Sequence, residues 1–87
     1  MSTLVCVTAE DIAQGKRKHL RQCPVALALA RTFRTEAVRV YEEYYSLNGD
    51  PARNWPASVT AWIERFDRGE PVAPFAFDLE VDLEVDA

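Results

Sequence analysis

From Phe75 to Val85 the chain alternates without a slip. Phe75, Phe77, Leu79, Val81, Leu83 and Val85 are apolar, and Asp78, Glu80, Asp82 and Glu84 stand between them. A period of two marks a half-buried strand, so this stretch predicts a strand with one face in the core and an acidic face outside. Its eleven residues exceed the usual strand length, which predicts fraying at the far end. Elsewhere the period lengthens to that of a helix. Val25, Leu29 and Phe33 recur at i, i+4 and i+8 behind Pro24, with alanines at 26, 28 and 30. Proline suits the first helical position, and a helix apolar nearly all round belongs at the centre of the fold. Val59, Trp62, Ile63 and Phe66, at i, i+3, i+4 and i+7 behind Pro56, predict a second helix with four large side chains on its core face. Glu64 and Arg68 form an i,i+4 pair outside it, and Gly69 followed by Pro71 ends it.

Shorter signals fill the gaps. "TLVCV" is a strand candidate. In "TAEDI" Thr8 can cap a short helix while Asp11, at N3, reaches back to it, with Val7 and Ile12 as a hydrophobic staple. Gly15 ends that helix, and "KRKHLRQ" reads as a solvated connection. Residues 37–47, "AVRVYEEYYSL", carry two patterns at once. Val38, Val40 and the tyrosines favour strands, whereas Ala37, Val40, Tyr44 and Leu47 fit a helical stripe. Strands broken near Glu42 and Glu43 are the expected outcome, and "NGDPARNWP" is a turn-rich loop. The whole is an α+β chain: one domain over 1–87, a small mainly antiparallel sheet with two to three helices packed on one face.

Size and charge narrow the classes. Eighty-seven residues leave room for one core and no cleft between lobes. No apolar run is long enough to cross a bilayer, and residues 1–20 lack the apolar stretch of a secretory leader, so the cytoplasm is the expected compartment. Residues 1–40 hold seven Lys/Arg against three acids, while residues 41–87 hold three against eleven, a split of +4 and −8. A dipolar surface follows if the halves stay apart in space.

Candidate chemistry is sparse. Cys23 precedes Pro24 at a helix start, where the dipole and Arg21 lower a thiol's pKa. No C-x-x-C accompanies it, Cys6 lies in another element, and the only histidine is His19. A small hydrophobe sealing a buried helix is the stronger reading of Cys23, and a thiol redox role the weaker. Cys6, His19 and Cys23 have no recognised metal spacing, and none of the three glycines builds a phosphate loop. No catalytic residue, metal site or cofactor is expected. Two surfaces remain as partner-binding candidates. One is the basic segment with Lys16, Arg17, Lys18 and Arg21, suited to phosphates but without an interleaved aromatic. The other is the acidic row of Asp78, Glu80, Asp82 and Glu84, whose spacing of about 6.6–6.8 Å is comparable to that of neighbouring phosphates. A solvated loop and a solubilising strand face are the plainer readings of each.

"VTAEDIAQG", "CPVALALAR" and "WIERFDRGEPVAPFAFDL" together resemble a family of small proteins from bacteriophages and actinobacterial genomes. Its members share a V-T-x-x-D-I-x-x-G opening, a C-P-[IV]-A-x-A helix start and an F-D-x-G-E-P-V-x-P-F-x-F close. Residues 34–55 carry no part of the likeness. The resemblance brings no activity and no catalytic residues; it implies a viral or mobile-element origin. The expectation is a non-enzymatic interaction protein that binds a host protein or complex in the host cytoplasm, or a second copy of itself. A nucleic-acid-binding module using residues 16–21 and a redox protein using Cys23 are the alternatives. No membrane partner is expected.

Overall fold

The computed structural model describes residues 2–49 and 51–80. The elements are β1 (Ser2–Val7), α1 (Ala9–Gln14), α2 (Pro24–Phe33), β2 (Val38–Val40), β3 (Tyr44–Leu47), β4 (Arg53–Asn54), α3 (Ala57–Asp67) and β5 (Phe75–Glu80). This is the small α+β fold that the two periods predict. The strands, however, divide between two antiparallel sheets, a β1–β5 ribbon and a three-stranded sheet in the order β2-β3-β4.

In the ribbon Thr3, Val5 and Val7 stand opposite Leu79, Phe77 and Phe75, while Leu4 and Cys6 stand opposite Asp78 and Ala76. Directly paired residues share a face. Val5, Val7, Phe77 and Leu79 are buried and their neighbours point out, as the alternation requires. The remainder of the expected strand, with Asp82 and Glu84, lies outside the described residues.

Helix α2 supplies the centre of the core. Val25, Ala26, Ala28 and Leu29 have no exposed surface, and the helix packs against β1, β2 and α1. Truncating a buried leucine of this kind to Ala costs about 2–5 kcal/mol. Gly15, which ends α1, has extended backbone (φ −73°, ψ 154°) and not the left-handed form usual after a helix. Its smallness serves packing instead: a Cβ there would lie 2.5 Å from the Pro24 ring.

The ambiguous middle segment is a hairpin. Val38, Val40, Tyr45 and Leu47 are buried, whereas Ala37 and Tyr44, which the helical stripe needs inside, are exposed. A period of two wins because one face of this sheet meets the core. Asn48 and Gly49, which follow β3, take consecutive positive φ angles of 52° and 78°, a conformation that asparagine and glycine reach at the lowest cost. The stretch expected to be only a loop also contains β4 and a core residue. Trp55 is 6% exposed, stacks on Tyr45 at 4.2 Å and meets Phe77 edge-on at 5.7 Å. Its indole N–H donates to the Tyr41 carbonyl at 2.9 Å. Trp55 is therefore the joint between the two sheets.

Helix α3 corrects another expectation. Val59 and Ile63 are buried, but Trp62 and Phe66 are half-buried. Trp62 lies against Phe75 at 4.7 Å and donates its indole N–H to the Ala73 carbonyl at 2.9 Å. The stripe faces the core along one line, and its i+3 and i+7 members fall on the flank, closing the rim.

Candidate interaction surface

The outer face of the ribbon carries Leu4, Cys6, Ala76 and Asp78, all exposed. Leu4 is 57% exposed, and no described element lies over it. It stands directly opposite Asp78, so an apolar side chain and a carboxylate sit side by side on an open sheet. Of the expected acidic row, Asp78 is on this face and the backbone of Glu80 continues the ladder opposite Ser2. The bare outer face of the second sheet is different in kind: Arg39, Tyr44 and Asn54 are exposed there, and Tyr44 stacks on Tyr41 at 4.4 Å.

The basic segment is fastened along its backbone. Lys16 N–H donates to the Gln22 carbonyl at 2.8 Å, Lys18 N–H to Asp67 Oδ1 at 2.9 Å, and the Leu20 carbonyl accepts from Val40 N–H at 2.9 Å. Its charged side chains are exposed but diverge. The Arg17 guanidinium lies along Gly69 at the end of α3, in a groove with Phe66 and Val72. Arg21 lines a separate groove with Leu27, Glu36 and Val38. Lys18 borders a third hollow of about 220 Å³ with His19, Tyr41 and Asp67. Arg17, Lys18 and Arg21, within five positions of one another, thus serve three places on the surface.

Cys23 lies at the floor of that third hollow. It is 5% exposed and forms the N-cap of α2, its Sγ accepting from Ala26 N–H at 3.4 Å. Burial pushes the thiol up to about 11, against the lowering effect of the α2 amides. A nucleophilic thiol needs the opposite shift. Cys6 is on the ribbon face, far along the chain from Cys23 and in another element, and no metal-ligating group of three forms among the described residues.

A different polar cluster was not visible in the sequence. Thr8 and Asp11 form the expected capping box, with Thr8 N–H to Asp11 Oδ2 at 2.9 Å and Asp11 N–H to Thr8 Oγ1 at 3.1 Å. Asp11 also receives both nitrogens of Arg31, at 2.8 and 2.9 Å, and Arg31 Nη2 donates to the Cys6 carbonyl at 2.9 Å. Asp11 is buried, and burial opposes its charge. The bonds from Arg31 and Thr8 outweigh that and hold its pKa below the ordinary carboxylate value. Twenty residues separate the pair, a distance over which local pattern carries no signal. The cluster ties α1, α2 and β1 together, and its partners satisfy one another.

Comparison of the chain with protein-family models, curated proteins and solved structures returned no match.

Proposed function

We propose that this protein is a non-enzymatic interaction module whose contact surface is the outer face of the β1–β5 ribbon. The observation that carries the reading is Leu4, 57% exposed and directly opposite Asp78 on a sheet face that no described element covers. Exposed apolar surface rimmed by charge is the make-up of a protein contact. The partner is then a protein with a basic rim around an apolar spot, and the acids that follow Asp78 in the sequence extend the complementary charge. The resemblance to phage proteins directs the same proposal to a host macromolecule. The nucleic-acid alternative has less support, because Arg17 and Arg21 line separate grooves. The redox alternative has less still, since the Cys23 thiol is pushed up to about 11.

The test is differential capture from host lysate. A protein retained by the tagged wild type and by Arg39→Glu, but lost with Asp78→Lys and with rising salt, supports the ribbon face. An identical set of captured proteins for Asp78→Lys overturns it.

A further inference from the structure

Among the described residues β1 has a single ladder partner, β5. The end of the ladder fixes which of its backbone groups are left over. Pro74 has no N–H to donate, so Val7 and Phe75, the last pair of the ladder, exchange their own main-chain hydrogen bonds. The groups of the preceding Cys6 face away from β5, where its carbonyl accepts from Arg31 of α2 at 2.9 Å. In an antiparallel ladder the main-chain groups alternate in direction residue by residue. The N–H and C=O of Leu4 therefore face the same free edge as those of Cys6. No turn, loop or side-chain group among the described residues bonds Leu4 there. An unpaired strand edge beside an exposed leucine is a template for another strand.

We propose that β1 pairs antiparallel with β1 of a second copy, about a two-fold axis centred on Leu4. The two ribbons become one four-stranded sheet in the order β5-β1-β1-β5. Leu4 exchanges both main-chain hydrogen bonds with Leu4 of the second copy, and Ser2 does so with Cys6. The Cys6 carbonyl keeps Arg31, because a carbonyl oxygen has two lone pairs. The two leucines meet on the outer face and cover each other, a self-complementary contact of the kind a two-fold axis requires.

Charge selects this edge over that of β5. Joining two β5 edges would set two acidic strands about 4.8 Å apart, and like charges across a ladder destabilise it. Joining through β1 keeps them three strand spacings apart, about 14 Å, beyond the Debye length of about 8 Å at physiological ionic strength. The paired acidic strands then flank one broad sheet face. The inference shares Leu4 with the proposed function, so that self-association and capture of a basic partner compete for it, and it uses the edge of the ribbon and not its charged row.

The test places single cysteines in a Cys6→Ser background. Leu4→Cys puts two sulfur-bearing residues at about 5.5 Å between Cα atoms, within the span of a disulfide. Mild oxidation with glutathione disulfide should convert it to a covalent dimer. Ala76→Cys, on the same open face but on β5, should remain monomeric. In sedimentation the wild type should pass from monomer to dimer between about 10 µM and 1 mM, the weak range of a small interface. The dimer should strengthen with salt, because each copy carries a net charge of −4. Leu4→Lys should stay monomeric with an unchanged circular dichroism spectrum. A wild type still monomeric at about 1 mM in high salt, or Ala76→Cys cross-linking as fast as Leu4→Cys, overturns the proposal. Salt separates this from the previous reading: it weakens capture of a basic partner and strengthens self-association.

Discussion

Helices α1 and α2 each bury a polar side chain at the N-terminal end, Asp11 at N3 of α1 and Cys23 at the N-cap of α2, and burial pushes both groups toward their neutral form. The outcomes are opposite. Asp11 stays ionised because Arg31 and Thr8 hydrogen-bond its carboxylate. Cys23 has backbone N–H groups at the start of α2 to lower its pKa, but burial, with the Asp67 charge adding to it, pushes the thiol up to about 11. The helix N-terminus by itself does not overcome desolvation in this core; a side-chain cation with matching geometry does. That contrast also bears on chemistry. The buried charge is fully engaged in structure, and the buried thiol is protonated at neutral pH, so neither cap offers a reactive group.

Removing the charged cap is the severest way to break the contrast. Asp11→Ala deletes the return half of the capping box and two charged hydrogen bonds, and should cost about 2–4 kcal/mol in urea unfolding. Half-exposure of Arg31 keeps the loss from being larger. A cost below about 0.5 kcal/mol, the range of a neutral surface change, would show that α1 stands without its cap.

The neutral cap is tested at alkaline pH. Its folded pKa is raised from 9.0 to about 11, so its contribution is complete below pH 9 and is lost as pH rises toward 11. Two pK steps correspond to about 2–3 kcal/mol. The difference in stability between wild type and Cys23→Ser, followed from pH 8 to 11, should show this slope. A flat difference would mean that the thiol reaches solvent.

At the acid end the sign reverses. Asp11 has a lowered folded pKa, so its contribution is present above the ordinary value and is lost as pH falls through the folded one. Arg31→Gln removes the charge and leaves burial less opposed. It should cost about 1–2 kcal/mol at neutral pH and move acid unfolding to higher pH. An unmoved acid transition would assign the ionised state of Asp11 to Thr8 alone.

The smallest effect is Cys23→Ser at neutral pH. A hydroxyl is a better N-cap acceptor than a thiol, while its burial is less favourable. The two should nearly cancel, leaving a change within about 1 kcal/mol. Unlabelled Cys23 in the folded wild type, alongside rapid labelling of exposed Cys6, checks the same point directly.

Legibility followed the range of the forces. The capping box at Thr8 and Asp11, the Pro24 start and the Glu64–Arg68 pair, at 3.6 Å, are contacts within one turn and were readable from spacing. So was the face that Asp78 occupies. Trp55 was not, because a tryptophan between Asn54 and Pro56 shows no period and finds its partners in β3 and β5. The basic segment misled for a related reason: closeness in sequence suggested one patch, but the turn that fastens Lys16 to Gln22 sends successive side chains in different directions.

By itself, then, the sequence determined the apolar stripe of α2, the capping box of α1 and the in–out alternation of β5, since each depends on side chains a few residues apart along one element. For residues 37–47 it offered two periods, and the core chose between them. Tertiary structure alone decided that the strands split into two sheets joined at Trp55, that Arg31 reaches Asp11 and the Cys6 carbonyl, and that Leu4 is left exposed, with β5 the one ladder partner of its strand among the described residues. Those outcomes depend on which elements come to rest against each other. Burial and charge are settled by neighbours in space, and the chain order does not name them.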